Sequence, residues 1–324
     1  MIRVLSVLLA LQLLITLVLY WPQPQGVNRS EALVAGLDRE SIGRIGITDG
    51  EGASSLLTRD SEGWRLDSGL PADGSKVATL IDALTGADPG YAIATSDSAA
   101  TRFRVAAEDF ERRIVLEGAD EDRVLYLGTS PSFRKVHARR ADEAAVFVIE
   151  LNSYDAPTAD GSWLDRSLLA AEDLSTLELY GVRYRLDGDL WVRDDGAEVD
   201  GEAMDALVQA LSRLQVSGLA AEDDEDVDEA GEALRITLGE GDTASRLTVL
   251  DNPGSERYFL SSDRFDAVFS TSAYDAERLL DAARAAAGIA DEADAEESSA
   301  PGADAEASDG SLPDTEAADG SGGI

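Results

Sequence analysis

Residues 42–47 read IGRIGI and residues 174–179 read LSTLEL, two short runs with apolar residues at the same three places and 132 positions apart. Ile42, Ile45 and Ile47 match Leu174, Leu177 and Leu179. The correspondence extends outward in both directions. Trp64 matches Trp191 at an offset of 127, and Val77, Leu80, Ile81, Ala83 and Leu84 match Met204, Leu207, Val208, Ala210 and Leu211 at the same offset. Arg113, Ile114 and Leu116 match Arg235, Ile236 and Leu238 at 122, as Val146-Phe147 matches Val268-Phe269. Tyr154-Asp155 matches Tyr274-Asp275 at 120. The matches keep their order while the offset shrinks slowly, which is what loop-length changes between two copies of one unit produce.

Each copy has the same local logic. Residues 42–47 alternate toward their end, a strand signal. Ser54 to Arg59 and Gly63 to Asp67 follow as short strands around a Ser61-Glu62-Gly63 turn, with Trp64 anchoring the second. Asp73 or Ser75 is placed to cap a helix whose Val77, Leu80, Ile81 and Leu84 share one face and which Gly86 ends. Strands are then expected at Arg112 to Leu116, Arg123 to Leu127, Arg134 to Ala138 and Ala145 to Ile149. The second copy repeats the order: Ser175 to Leu179, Tyr184 to Leu186, Leu190 to Arg193, a helix from Glu202 to Leu214, then Leu234 to Leu238, Arg246 to Leu250, Tyr258 to Ser261 and Ala267 to Ser270. Strand-rich blocks interrupted by one amphipathic helix imply an α+β fold with mostly antiparallel sheet.

Upstream of both copies, residues 4–21 read VLSVLLALQLLITLVLYW without one charge. At about 1.5 Å per residue a helix of this run spans roughly 27 Å, the thickness of a thin bilayer core. Arg3 precedes it, which favours a cytoplasmic N-terminus and an exported body. Tyr20 and Trp21 end it with rings suited to the far interface. A cleaved signal peptide has a shorter apolar stretch and small residues at its cleavage site. Here Tyr20, Trp21, Pro22 and Gln23 follow directly, so an uncleaved anchor is the expected reading, with no cysteine to carry a lipid.

The formal net charge is −37, and the stretch from Asp291 to Asp319 alone holds eleven acids and no base. Such acidity argues against nucleic acid and anionic lipid surfaces as partners. Lys76 and Lys135 are the only lysines, and cysteine is absent, which removes disulfides, thiolate metal sites and thiol nucleophiles. From about Gly288 onward Ala, Asp, Glu, Ser and Gly dominate, a composition that buries no core and is expected to be disordered.

Chemistry-bearing residues are few. His137 is the only histidine; alternation along Arg134-Lys135-Val136-His137-Ala138-Arg139-Arg140 puts it on the solvated face with Lys135 and Arg139. That stretch is also the densest basic cluster, readable as a docking patch or as an exposed face paired with Asp142 and Glu143. Asp224, Asp226 and Asp228 suggest a calcium loop, but Glu229 stands where an EF-hand loop needs glycine; a solvated acidic loop over Glu222 to Glu229 is expected. Trp64 and Trp191 are read as symmetric core residues rather than ligand platforms. Asn28-Arg29-Ser30 is a formal sequon. No Gly-x-Ser-x-Gly elbow and no phosphate-binding glycine loop is present, and no acid pair can be singled out as a hydrolytic dyad.

The joint between the copies carries a signature. Trp163-Leu164-Asp165-Arg166-Ser167-Leu168-Leu169 leads through Ala170 to Asp173 into Leu174 to Leu179, followed by a Trp-bearing hairpin and the Val-x-x-Leu-type helix. This resembles the domain of unknown function 4340 (DUF4340) family. Leu33 to Ile47 echoes the same run without its Trp-x-Asp-Arg part, and Phe103-Arg104-Val105 stands where the family often has a Tyr-Gly-Leu-like triplet, lacking the glycine. The resemblance spans roughly residues 4 to 285. It implies a single-pass envelope protein with duplicated α+β domains, of a kind encoded beside ABC-type transporters similar to gliding-motility auxiliary systems. It implies no catalytic residue.

The expected organisation is a cytoplasmic N-terminus (1–3), a transmembrane anchor (4–21), a spacer (22–37), two α+β repeats (38–155 and 156–287) and an acidic tail (288–324). The expected function is that of a non-enzymatic accessory or scaffold protein of the cytoplasmic membrane, with its bulk in the periplasm or outside. Its partners would be the bilayer through residues 4–21 and membrane proteins such as ABC transporter subunits, with no nucleic acid, cofactor, metal or catalytic residue assigned. The alternatives are a module binding envelope polymer or a small ligand between the copies, and a hydrolase whose carboxylates meet only in three dimensions.

Overall fold

Period-two alternation makes the strands, and the structure, a computed structural model, pairs them into two antiparallel sheets. It describes residues 33–34, 37–119, 121–221 and 223–289. The 4–21 run, Asn28 and the acidic residues from Asp291 on lie outside these. Among the described residues no helix is long and apolar enough to cross a membrane.

The first copy holds β1 (Arg44–Asp49), β2 (Ser54–Arg59), β3 (Trp64–Leu66), α1 (Gly74–Thr85), α2 (Asp97–Arg102), β4 (Arg112–Glu117), β5 (Asp122–Leu127), β6 (Lys135–Arg140) and β7 (Val146–Glu150). The second holds β8 (Thr176–Leu179), β9 (Val182–Asp187), β10 (Leu190–Arg193), α3 (Gly201–Ser212), β11 (Gly218–Leu219), α4 (Glu225–Glu229), β12 (Gly231–Leu238), β13 (Ser245–Asn252), β14 (Arg257–Ser262), β15 (Val268–Thr271) and α5 (Ala273–Ala287). The strand orders are β3-β2-β1-β4-β5-β6-β7 and β10-β9-β8-β12-β13-β14-β15-β11, the same path twice with one added edge strand.

The register repeats as well. Ile45 faces Leu116 and Ile47 faces Ile114 across β1 and β4; Leu177 faces Leu238 and Leu179 faces Ile236 across β8 and β12. These residues, matched between the copies from sequence alone, are buried in both sheets. The helices lie over them. Val77, Leu80, Ile81 and Leu84 of α1 and Met204, Leu207, Ala210 and Leu211 of α3 are buried. Each helix starts at an aspartate, Asp73 or Asp200, whose carboxylate accepts from two amides of the first turn, satisfying donors that would otherwise be orphaned. One continuous apolar core runs through both copies. A smaller core behind the first sheet joins Ala100, Val105, Tyr126 and Val146.

The copies diverge at their ends. Asn152 caps a single 3-10 turn, Ser153–Asp155, where Ser272 caps the 15 residues of α5. Pro157 stands at the position equivalent to Glu277 inside α5, and a proline there removes an amide and clashes with the preceding turn. The first copy therefore has no counterpart of α5. Sequence reading stopped at the Tyr-Asp match and missed this helix, although Ser272, Asp275 and the left-handed Gly288 (φ 70°) are start and stop signals.

Three other expectations are corrected. The strand expected from Arg134 begins at Lys135, because Arg134 is left-handed (φ 54°) and cannot pair as extended chain. Leu33, Val34 and Leu37, assigned to the spacer, are buried in the core. Leu33-Val34 occupies a turn equivalent to Leu168-Leu169, both pairs buried, so the packed body begins before residue 38. Residues 225–229 form α4 rather than an open acidic loop.

Candidate functional site

The segment between the copies, residues 156–171, is a strap. Arg112 Nε donates to the Ala156 carbonyl at 3.2 Å, Thr158 to Asp49 at 3.0 Å, and Ser55 to Asp160 at 2.6 Å. Lys76 Nζ donates to the Ser162 carbonyl and the Asp73 amide to that of Trp163, so the start of α1 is tied down twice. Trp163 is fully buried, its indole N–H donating to the Pro157 carbonyl at 2.9 Å. Beyond it the strap crosses to the second copy. The Asp165 amide still bonds the Pro71 carbonyl of the first copy, whereas the Val216 amide bonds the Arg166 carbonyl and the Ala171 amide the Leu211 carbonyl of the second. The Trp163 to Leu169 signature thus welds the two sheets.

Burial alone would raise the Asp49 carboxyl, but the Thr158 hydroxyl, the amides of Ala53 and Glu51 and the charge of Arg112 outweigh it and hold the group below its ordinary value. Asp73 behaves likewise. Its burial is opposed by the Ser75 hydroxyl and by the amides of Lys76 and Ser75. Both strap-end carboxylates are held ionised by the donors around them.

Beside the strap three open clefts meet at the seam. One of about 540 Å³ lies between Trp64, Arg65 and Pro71 of the first copy and Arg264 and Phe265 of the second. A cleft of about 820 Å³ runs from Leu70 to Leu219, Val227, Phe265 and Val268. A third, of about 610 Å³, reaches Arg185 and Glu240. Arg264 lines all three.

The electrostatics single out that residue. Arg65 is ion-paired with Asp60 and Glu62, and its guanidinium holds the Asp60 carboxyl below the usual range. Arg185 pairs with Asp194 at 2.7 Å. Arg264 is exposed, lies 5.2 Å from the centre of the Phe265 ring, and among the described residues makes no ion pair. Acids line the same clefts, Asp266 in the 820 Å³ one and Glu172, Asp173 and Glu240 in the 610 Å³ one, so Arg264 is a single unpaired cation in a mixed polar and apolar seam. Sequence reading passed over Arg264 and Phe265. The usable signal was a large apolar residue in the turn between β14 and β15, where polar residues are usual.

The residues weighed from sequence fall elsewhere. His137 is buried, not solvated. Its Nδ1–H donates to the Thr129 carbonyl at 2.6 Å and its ring stacks on Phe103 at 4.2 Å. Residues 103–105 cover the second face of β6 at His137 and part of Arg139, leaving Lys135 exposed there. The loop sits this close because position 128 is glycine; a Cβ there would lie 2.0 Å from the Phe103 carbonyl oxygen. In the basic run, Arg140 pairs with Asp142 at 2.8 Å and Glu143 at 3.3 Å, the pairing expected from sequence. Arg139 donates to the carbonyls of Val105 and Glu143 and lies over the Tyr126 ring.

Asp224 and Asp226 are not a free acidic loop. Arg257 bonds both, the Asn252 side-chain amide donates to the Asp226 carbonyl, and Asp224 caps α4. Among the described residues no group of three or more His, Asp or Glu side chains is placed to hold a metal ion. Trp64 is buried as expected, but Trp191 is only half-buried against the same core. Its environment differs because β10 is an open edge, whereas β3 is bridged by Arg65 to Pro71 and continued by an Ala72–Leu164 bridge to the strap.

The model of one protein family, described as Domain of unknown function (DUF4340), matches residues 64–232. That span contains α1, the strap, the Trp191 hairpin and α3, the elements that build the weld. No curated protein and no solved structure matches the chain.

Proposed function

The chain belongs to the DUF4340 family, and from that premise we propose that it is a non-enzymatic assembly protein, anchored in the cytoplasmic membrane by residues 4–21 and carrying its body outside. The observation that supports this reading best is the strap. Residues 156–171 hydrogen-bond both copies and bury Trp163 in a core common to the two, so the copies move as one body. A rigid two-sheet body on a single apolar anchor suits a subunit that holds other proteins in register. Its partners are membrane proteins, in the first instance subunits of an ABC-type transport or motility complex, in keeping with the family resemblance.

Purification of the tagged full-length chain in mild detergent tests this. Transport subunits are expected to co-purify in fixed ratio. A monomer recovered alone would overturn the proposal. A reporter fused to the C-terminus should be active only on the outer side of the membrane, and activity on the cytoplasmic side would overturn the orientation.

The seam clefts support a second reading, a module that binds a small ligand or a polymer segment between the copies. Lining from both copies and the unneutralised Arg264 favour it. The two readings are compatible when the bound segment belongs to a partner.

A further inference from the structure

We propose that residues 90–92 form a flap that leaves its turn and pairs with β7, closing the edge of the first sheet as β11 closes that of the second. The device belongs to the first copy alone and does not depend on the assembly reading above.

The duplication supplies both positions of the segment. At the offsets that match the copies, Pro89, Gly90, Tyr91 and Ile93 stand where the second copy has Val216, Ser217, Gly218 and Ala220. Val146 and Val148 stand where it has Val268 and Ser270. One contact is common to both copies. The Ile93 amide bonds the Val146 carbonyl at 2.8 Å, as the Ala220 amide bonds that of Val268 at 2.9 Å. The next contact is not shared. The Ser217 amide bonds the Ser270 carbonyl at 2.8 Å, whereas the Gly90 amide turns to the Asp88 carboxylate at 2.9 Å in a left-handed conformation (φ 60°). The edge that Gly90 forgoes is open. His137 donates its amide to the Thr129 carbonyl and accepts at its own carbonyl from Gly128, both toward the chain that continues β5. Val148, its partner on β7, therefore turns both main-chain groups away from β6. In the place of a paired flap lies a cleft of about 580 Å³, between Gly86, Asp88 and Gly90 on one side and Lys135, Val148 and Glu150 on the other.

Closure is a short movement between fixed ends. Pro89 is buried on one side and Ile93 is bonded to Val146 on the other, so only residues 90–92 move. Glycine takes left-handed and extended conformations alike, which lets position 90 serve both states. One hydrogen bond is exchanged for another. The Gly90 amide leaves the Asp88 carboxylate for the Val148 carbonyl, and Tyr91 comes to face Val148 as Gly218 faces Ser270. The exposed edge is what favours the exchange. Tyr91, Ile93, Phe133 and Tyr154, the exposed large apolar residues of the first copy among those described, lie along this edge or in the turns at its end. An unpaired strand beside apolar surface invites pairing with other chains, and natural sheets cover such edges. The open state presents the β7 edge, and the closed state withdraws it.

The chain has no cysteine, so an introduced pair reports closure directly. Full-length protein in detergent carrying Tyr91→Cys with Val148→Cys is oxidised beside a control carrying Gly218→Cys with Ser270→Cys, the equivalent pair that already faces across two strands. A disulfide needs Cα atoms within about 7 Å of each other. The first pair is expected to bridge, more slowly than the control. Adding Asp88→Ala removes the acceptor that holds Gly90 in its turn and should raise that rate roughly fivefold, the weight of one hydrogen bond, while leaving the control pair unchanged. An unaltered melting temperature shows that each variant is folded. In the chain without introduced cysteines, exchange of the Val148 amide should slow in Asp88→Ala. No bridge in the first pair where the control bridges, a bridging rate that Asp88→Ala does not change, or equal exchange at Val148 would overturn the flap.

Discussion

The Asp73 amide donates to the Trp163 carbonyl at 2.7 Å, joining the cap of the first copy's helix to the residue at the centre of the strap. Helix start and inter-copy weld are therefore one structure. Loosening either loosens the other, and this coupling sets the energetics of the molecule.

Trp163→Ala removes a fully buried indole and its bond to Pro157. A loss of about 3–5 kcal/mol is expected for such a truncation. Because the strap is what couples the copies, urea unfolding of the variant should split into two transitions where the parent chain shows one. A single transition at lower urea would mean that the copies are coupled elsewhere.

Acid sensitivity follows from Asp49 and Asp73, whose carboxyls are held below their ordinary values. A carboxyl depressed in the folded state contributes stability that is complete above the unfolded pKa of about 3.9 and is lost as pH falls through the folded value. Asp73→Asn keeps a capping side chain and should change little at pH 7, yet flatten the fall of melting temperature below pH 4. Asp73→Ala should cost about 0.5–2 kcal/mol at pH 7 as well. An unaltered acid slope in Asp73→Asn would contradict the account.

Arg257→Ala should release α4 without unfolding the body. Arg257 bonds Asp224 and Asp226 from a partly exposed position, so its contribution to global stability is small. Local protection is another matter. Amide exchange over residues 223–230 should accelerate at least tenfold while β12 to β14 stay protected. Uniform acceleration across the sheet would show that α4 is not a separate unit.

The two matched tryptophans should differ. Trp64→Ala is expected to cost about 3–5 kcal/mol and Trp191→Ala less than half of that, since Trp191 is only half-buried. Urea midpoints of the two variants measure this. Equal losses would mean that the open β10 edge is covered in solution.

Phe103 and His137 offer a spectroscopic check. The ring carbons and protons of the chain's only histidine should be displaced by the Phe103 ring current at 4.2 Å. In Phe103→Leu the imidazole proton resonances should move toward random-coil positions. No movement would place the 101–105 loop away from β6 in solution.

The sequence by itself determined the duplicated architecture. Alternation and helix-face spacing are local, so residues matched between the copies, such as Ile45 with Leu177 and Ile114 with Ile236, take equivalent buried places in the two sheets; which strands pair was decided by the tertiary structure. Caps were legible for the same reason, since Asp73 acts on amides two and three residues away. The burial of His137 was not, because its cover comes from a loop that glycine at 128 admits and no periodicity encodes. Pro157, which turned a helix into a strap, was visible in the sequence, but where the strap would bind was not. The seam was decided only by tertiary structure. Trp64, Leu219 and Arg264 lie far apart along the chain, and their meeting depends on how the weld sets one sheet against the other, a packing outcome with no local signal.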